Sequence, residues 1–246
     1  IGLMKGNQIT PDMSNRAKRI VQRYFAAKGY KNVEVNILQR PDVNADKQVI
    51  VEIDVDKKDK IKVHKIYLNG VEQLPDKKVR YSMKKTREKT TFKNFWHTIF
   101  RSKKYTDERY NEDKDNIISL YNERGYRDAI IVSDSVVPFD DSSVDIYLNI
   151  EEGNKYHLRS VKWVGNSVYS TDQLNYLLGL SAGDVYNQKQ LDERLNTDDS
   201  SVKNTYFDNG YVFLNVVPTE VSVENDSIDL EIRMHEGSPA TINRVK

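Results

Sequence analysis

Histidine is the side chain best suited to acid–base work or metal ligation at neutral pH, and the four here, His64, His97, His157 and His235, are scattered with no two at ligand spacing. Cysteine is absent, which removes thiolate nucleophiles, soft metal sites and disulfides, and leaves the redox compartment undecided. The paired carboxylates Asp140-Asp141 and Glu151-Glu152 read as solvated turn residues rather than as an acid–base pair. There is no glycine-rich phosphate loop, nucleophile elbow or two-histidine zinc motif. Asn225-Asp226-Ser227 has the form of a glycosylation acceptor, a triplet common by chance and placed in a hairpin turn. No catalytic residue, metal or cofactor is therefore expected, and the chemistry that remains is recognition.

Two stretches are built for recognition. Phe92, Phe95, Trp96, Ile99 and Phe100 form an apolar stripe at helical spacing, and Lys89, Lys93, Arg101, Lys103 and Lys104 add positive charge. A basic, aromatic helix of this kind suits an anionic membrane surface or a partner's groove. Packing of the stripe over its own domain is the alternative. The second resource is backbone. Pro41, Pro138 and Pro218 fall in or just past extended runs, and proline, which cannot donate to a ladder, marks an edge strand. The candidate edges are Ala129 to Val136, with Ala129, Ile130, Ile131, Val132 and Val136, and Val212 to Val217, with Val212, Phe213, Leu214, Val216 and Val217. An open edge accepts an extended chain by β-augmentation, unless the prolines serve only to block aggregation.

The elements that position these stretches repeat. Asp145 to Asn166 reads as an alternating strand, a charged Glu-Glu-Gly turn and a second alternating strand, and versions of it occur around Lys58 and around Gly237. Gly153 follows Lys58 by 95 residues and Gly237 follows Gly153 by 84, and at those offsets the apolar rows of the strands superpose. The last unit is the template. A strand ends at Gly165-Asn166; Ser170 and Gln173 cap one helix, and Asn187 and Gln190 cap a second, expected to continue past Leu195, Val202 and Tyr206 to Gly210-Tyr211; a hairpin with its turn at Asn225-Asp226 closes the unit. The first unit starts mid-pattern, with Thr10 and Pro11 opening its helix. The middle unit carries the basic insertion and a second helix shorter by 4 residues. The expected division is a partial domain at 1–58, domains at 59–154 and 155–238, and the start of another repeat at 239–246, each unit α+β in the order strand, helix, helix, strand, strand.

A Gly-Tyr before the hairpin, a Glu-Gly turn after it and a Gly-Asn after the next strand resemble POTRA (polypeptide-transport-associated) domains, and the resemblance covers the whole chain. It implies an α+β fold in which each domain is a three-stranded sheet covered by two helices, and the periplasmic arm of a Gram-negative outer-membrane protein, with a membrane β-barrel elsewhere in the same chain. It also implies accessory lipoproteins and unfolded outer-membrane proteins as partners. The arm of another secretion translocator, and a polyanion- or peptidoglycan-binding module using the insertion, are the alternatives. A net charge of +1 gives no global case for nucleic acid. No apolar run approaches the ~20 residues that cross a bilayer. The chain opens at Ile1 without a signal peptide, so we expect a piece of a longer protein.

Overall fold

The computed structural model describes residues 3–6, 8–45, 48–88, 104–241 and 244. Contacts group the chain into two compact units, Ile1–Asn69 with Leu74–Asn116 and Val132–Asn149, and Gly70–Gln73 with Ile117–Ile131 and Ile150–Lys246.

In the first unit, helix α1 (Pro11–Ala27) starts where Thr10, in an extended conformation, accepts a bond from the Met13 amide at 3.2 Å. Pro11 costs the first turn nothing because its missing N–H would have had no partner. Val21 and Phe25 of α1 pack on Val35 and Ile37 of β1 (Glu34–Pro41) and on Ile53 and Val55 of β2 (Val49–Asp56). The two strands pair antiparallel, Val35 opposite Val55 and Ile37 opposite Ile53. Strand β3 (Lys62–Asn69) runs parallel to β5 (Ser143–Glu151) with Ile66 opposite Ile146. Strand β4 (Ile130–Asp140) lies on the other side of β5, giving the order β3-β5-β4. Between β3 and β4 come α2 (Asp76–Ser82) and α3 (Asp107–Asn122).

The second unit holds the complete repeat. Strand β6 (His157–Val164) is parallel to β8 (Ser227–His235), and β7 (Asn215–Glu224) is antiparallel to β8, so β8 is central and β7 is at an edge. Helix α4 (Thr171–Leu178) carries the expected capping box, Ser170 with Gln173, and ends on Gly179 at φ 63°. Leu174 and Leu178 are buried against the sheet core of Ile228, Leu230 and Ile232. Among the described residues, strand, helix, helix, strand, strand is thus the order in the last two repeats.

The second helix of the last repeat departs from expectation, because it is not continuous. It starts as α5 (Gln188–Asp192), capped by Asn187, then widens into a π turn at Glu193–Thr197 where the Asp198 amide bonds the Glu193 carbonyl at 2.9 Å. Asp198 leaves the helix at ψ 150°, and Ser201 caps a fresh helix, α6 (Val202–Asp208), by accepting from the Asn204 amide at 3.2 Å. The 4 residues by which this helix exceeds its counterpart are taken up by the break, not by an added α turn.

Successive repeats are joined by backbone hydrogen bonds. The Gly29 carbonyl accepts from Ile61 N at 2.9 Å, and the Ile61 carbonyl from Tyr105 N at 2.8 Å. One repeat later, Gly125 accepts from Tyr156 and Tyr156 from Tyr186, both at 2.9 Å, and Gly210 accepts from Ala240 at 2.8 Å. Each glycine has φ between 87° and 93°, a left-handed turn that aims its carbonyl at the following strand.

Candidate interaction surfaces

Among the described residues, strand β4 pairs on one side only, with β5. The opposite edge of that sheet is closed by side chains: Ile66 N donates to Glu88 Oε1 at 2.8 Å, and the Ile66 carbonyl accepts from Arg80. Arg80 is itself held by Asp76 at 2.5 Å and Glu88 at 2.6 Å, so this plug is fixed from two directions. Among the described residues no side chain does the same to β4. On it Ile130, Val132, Val137 and Phe139 are all about half exposed, interspersed with the exposed polar residues Ser133, Asp134 and Ser135. The ring of Phe139 stacks on His64 at 3.7 Å, and His64 Nδ1 lies 2.8 Å from Asp145 Oδ1. The histidine thus has a carboxylate partner 81 residues away that spacing along the chain did not reveal.

Strand β7 is the corresponding edge of the last sheet, and Val217, Val221 and Val223 are exposed on it. Pro138 and Pro218 both lie inside edge strands. The structure places Ile130, Ile131, Val132 and Val136 on β4, and Val216 and Val217 on β7. Ala129 and Leu214 precede those strands and are core residues, 3% and 7% exposed, because each turns inward at the entry to its hairpin. Val212 and Phe213 are exposed but belong to the turn before β7. Further along, Glu220 of β7 is engaged by the Tyr186 hydroxyl at 2.8 Å and by the Arg127 guanidinium. Of the basic stripe, Phe92, Lys93, Phe95, Trp96, Ile99, Phe100, Arg101 and Lys103 lie outside the described residues; Lys104 is described and forms a bridge with Lys62.

One sequence expectation is corrected outright. Glu152, read as a solvated turn residue, is buried at 6% exposure. Its Oε1 accepts from the Tyr121 hydroxyl at 2.7 Å, and its Oε2 accepts the backbone amides of Glu72 and Gln73 at 2.9 and 2.7 Å. Glu236 repeats this arrangement: Tyr206 donates at 2.6 Å, the Ser167 and Val168 amides at 2.9 and 3.0 Å, and the Ser167 hydroxyl adds a further short bond. Burial pushes the Glu236 carboxyl up, but the bonds from Ser167, Tyr206 and Val168 together outweigh it and hold the group below the usual range. Burial, reinforced by the neighbouring carboxylate, drives the Tyr206 phenol up. Each clasp ties the end of the first strand to the second helix and to the exit of the last strand. The signal was in the repeats: those with Tyr at the helix position have Glu before the turn glycine, whereas the first repeat has Phe25 and Lys57 there and lacks the pair.

The turn that each clasp secures also needs its glycine. A Cβ on Gly70 would sit 2.0 Å from the Ile150 carbonyl oxygen, and one on Gly165 2.3 Å from that of Met234. Both glycines have positive φ, 76° and 90°.

A family model described as POTRA, surface antigen variable number repeat, matches residues 61–153 and 156–237. The chain belongs to the POTRA family. Its POTRA repeats are similar to the outer membrane protein assembly factor BamA of Neisseria meningitidis, 26% identical over 249 residues that cover 99% of this chain and 30% of the relative. A putative outer membrane protein assembly factor of Treponema pallidum is 32% identical over 104 residues, covering 40% of this chain and 12% of its own length. The chain thus spans less than a third of the curated relatives it matches. Among solved structures, the POTRA3-5 fragment of Haemophilus influenzae BamA matches at a TM-score of 0.47 and 15% identity, covering 94% of this chain and 83% of that one.

Proposed function

We propose that this chain is part of the periplasmic arm of an outer-membrane β-barrel assembly protein in a Gram-negative bacterium. In this reading it is a non-catalytic scaffold, a partial POTRA domain to residue 58 followed by domains at 59–154 and 155–238, with the membrane barrel elsewhere in the same protein. It docks accessory lipoproteins and takes up unfolded barrel clients by adding an extended segment to β4, and to the free portion of β7. The observation that favours this is the asymmetry of the middle sheet, whose β3 edge is plugged by Arg80 and Glu88 while β4 presents unpaired backbone beside exposed apolar side chains. Main-chain bonding gives affinity that tolerates many client sequences, which a general assembly factor requires.

The test is photo-crosslinking in cells, in the full-length protein, from Ile130, Val132 and Val136, with Tyr147 on the central strand as control. Capture of nascent barrel proteins or lipoproteins from β4 but not from Tyr147 is the expected result. Capture of neighbouring repeats alone would reduce β4 to internal packing. The same reading makes the segment from Phe92 to Lys104 a partner or membrane contact. Replacing Phe95 and Trp96 by alanine should then weaken binding to partners or liposomes without lowering the melting temperature.

A further inference from the structure

A cleft of about 500 Å3 opens between the end of α1 and the start of α3, and Lys28, Lys57, Lys60, Lys104 and Arg109 line it. These cations come from four places in the chain: the C-cap of α1, the link from β2 to β3, the residue before Tyr105, and the first turn of α3. Glu108 is the one carboxylate in the lining. Among the described residues, none of the five cations has a carboxylate at ion-pair distance, although Lys31, Lys58 and Lys114 in the same unit are all paired. Like charges so gathered repel: the side-chain contact between Lys60 and Lys104 holds the Lys104 ammonium below the usual lysine range, while Lys60 keeps its proton more tightly than usual.

Joining the repeats does not require this gathering. The junction between the middle and last repeats has the same backbone bonds and the same isolated bridge, His157 with Val185 in place of Lys62 with Lys104. In that junction Val185, Gln190 and Glu152 stand where Lys104, Arg109 and Lys57 stand in the first. The fold is satisfied there by an apolar, a neutral and an acidic residue, and the three cations are an addition specific to one junction.

We infer that this cleft binds a phosphate-class oxyanion, free or as an ester, held between the first and middle repeats. A tetrahedral, multiply charged group directs oxygens to donors converging from several elements, which a single carboxylate cannot. Thr106, at the positive end of α3, also lines the cleft, and its hydroxyl is already used by the Arg109 amide at 3.2 Å, so recognition falls to the side-chain cations. Tyr30, with the Lys60 ammonium 4.8 Å above its ring, gives the site an apolar wall that suits an organic substituent.

The experiment is titration of the 246-residue chain with inorganic phosphate at ionic strength held constant with sodium chloride, followed by amide chemical shifts. Saturable shifts at Tyr30, Thr106 and Arg109 are expected. Lys60→Gln or Lys104→Gln should weaken the affinity several-fold each, and Lys162→Gln on β6 should leave it unchanged. A parallel arm uses vesicles of anionic phospholipid and of zwitterionic phospholipid. Vesicle binding lost in the Lys60 and Lys104 variants identifies a lipid headgroup as the source, and saturation by inorganic phosphate with no vesicle binding identifies a soluble phosphate. Shifts that are linear and spread over all basic surfaces, or affinity that the Lys60 and Lys104 variants retain, would overturn the site. The Lys104 variant removes repulsion, so its melting temperature should equal or exceed the parent's, which separates lost binding from lost folding; Lys60→Gln also gives up the contact with the Tyr30 ring.

Discussion

Glu236 is a carboxylate that folding hides and then over-supplies with donors, and its pH behaviour follows from that. Its folded pKa is depressed, so its contribution is fully present above the unfolded value, about 4.3, and is lost as pH falls through the lower folded value. The melting temperature of Glu236→Gln should therefore lie furthest below the parent's above about pH 5 and converge on it in acid; a gap that widened in acid would contradict the clasp. Tyr206→Phe removes one bond and strands an acceptor that has others, so a loss of about 1 kcal/mol in urea denaturation is expected. Gly165→Ala should cost more. A non-glycine residue at φ 90° is itself strained by about 1–3 kcal/mol, and the new methyl would meet the Met234 carbonyl oxygen. These glycines were legible as turn signals, but the burial of Glu152 and Glu236 was not. A Glu-Gly pair reads as solvent-facing until a phenol 30 or 31 residues upstream and two amides 68 to 80 residues upstream are known to converge on it.

Helix caps were the most legible elements, because capping is local chemistry: Thr10, Ser170 and Asn187 all accept the predicted bonds. The broken second helix of the last repeat obeys the same chemistry, although its periodicity predicts a continuous helix. Asp198-Asp199-Ser200-Ser201 is a run of helix-capping residues, but the apolar period from Leu191 to Val202 to Tyr206 continues in phase across it. The π turn and the restart at Ser201 keep Leu195, Val202 and Tyr206 in the core without a continuous α ladder. Ser201→Ala should destabilise the repeat by about 1 kcal/mol through loss of that second cap, measured by thermal or urea unfolding. Were Ser201 mid-helix instead, alanine would be neutral or stabilising.

Across the whole molecule, the tandem organisation could be read from three copies of one junction, whereas the basic cleft could not. Lys28, Lys57, Lys60, Lys104 and Arg109 are far apart in sequence, and each resembles an ordinary surface cation until the backbone bonds of the junction bring them to one place. Those bonds make a prediction of their own. Ile61 and Tyr156 sit ahead of their strands in short connecting segments, where amides commonly exchange with solvent at near-intrinsic rates. Hydrogen exchange at both should instead be slowed to the level of strand amides, because each donates to a glycine carbonyl of the preceding repeat. Intrinsic exchange there would mean that the repeats are joined by free hinges. The clasps have a consequence for the order in which such a chain matures. Glu152 meets the amides of residues 72 and 73 across 80 and 79 positions, and Glu236 meets Ser167 across 69. Each clasp needs the beginning and the end of a repeat together, so a chain delivered from its amino end cannot latch a repeat until the final turn has emerged; the middle repeat would mature first, and a cut anywhere inside a hairpin would leave the whole unit unlatched.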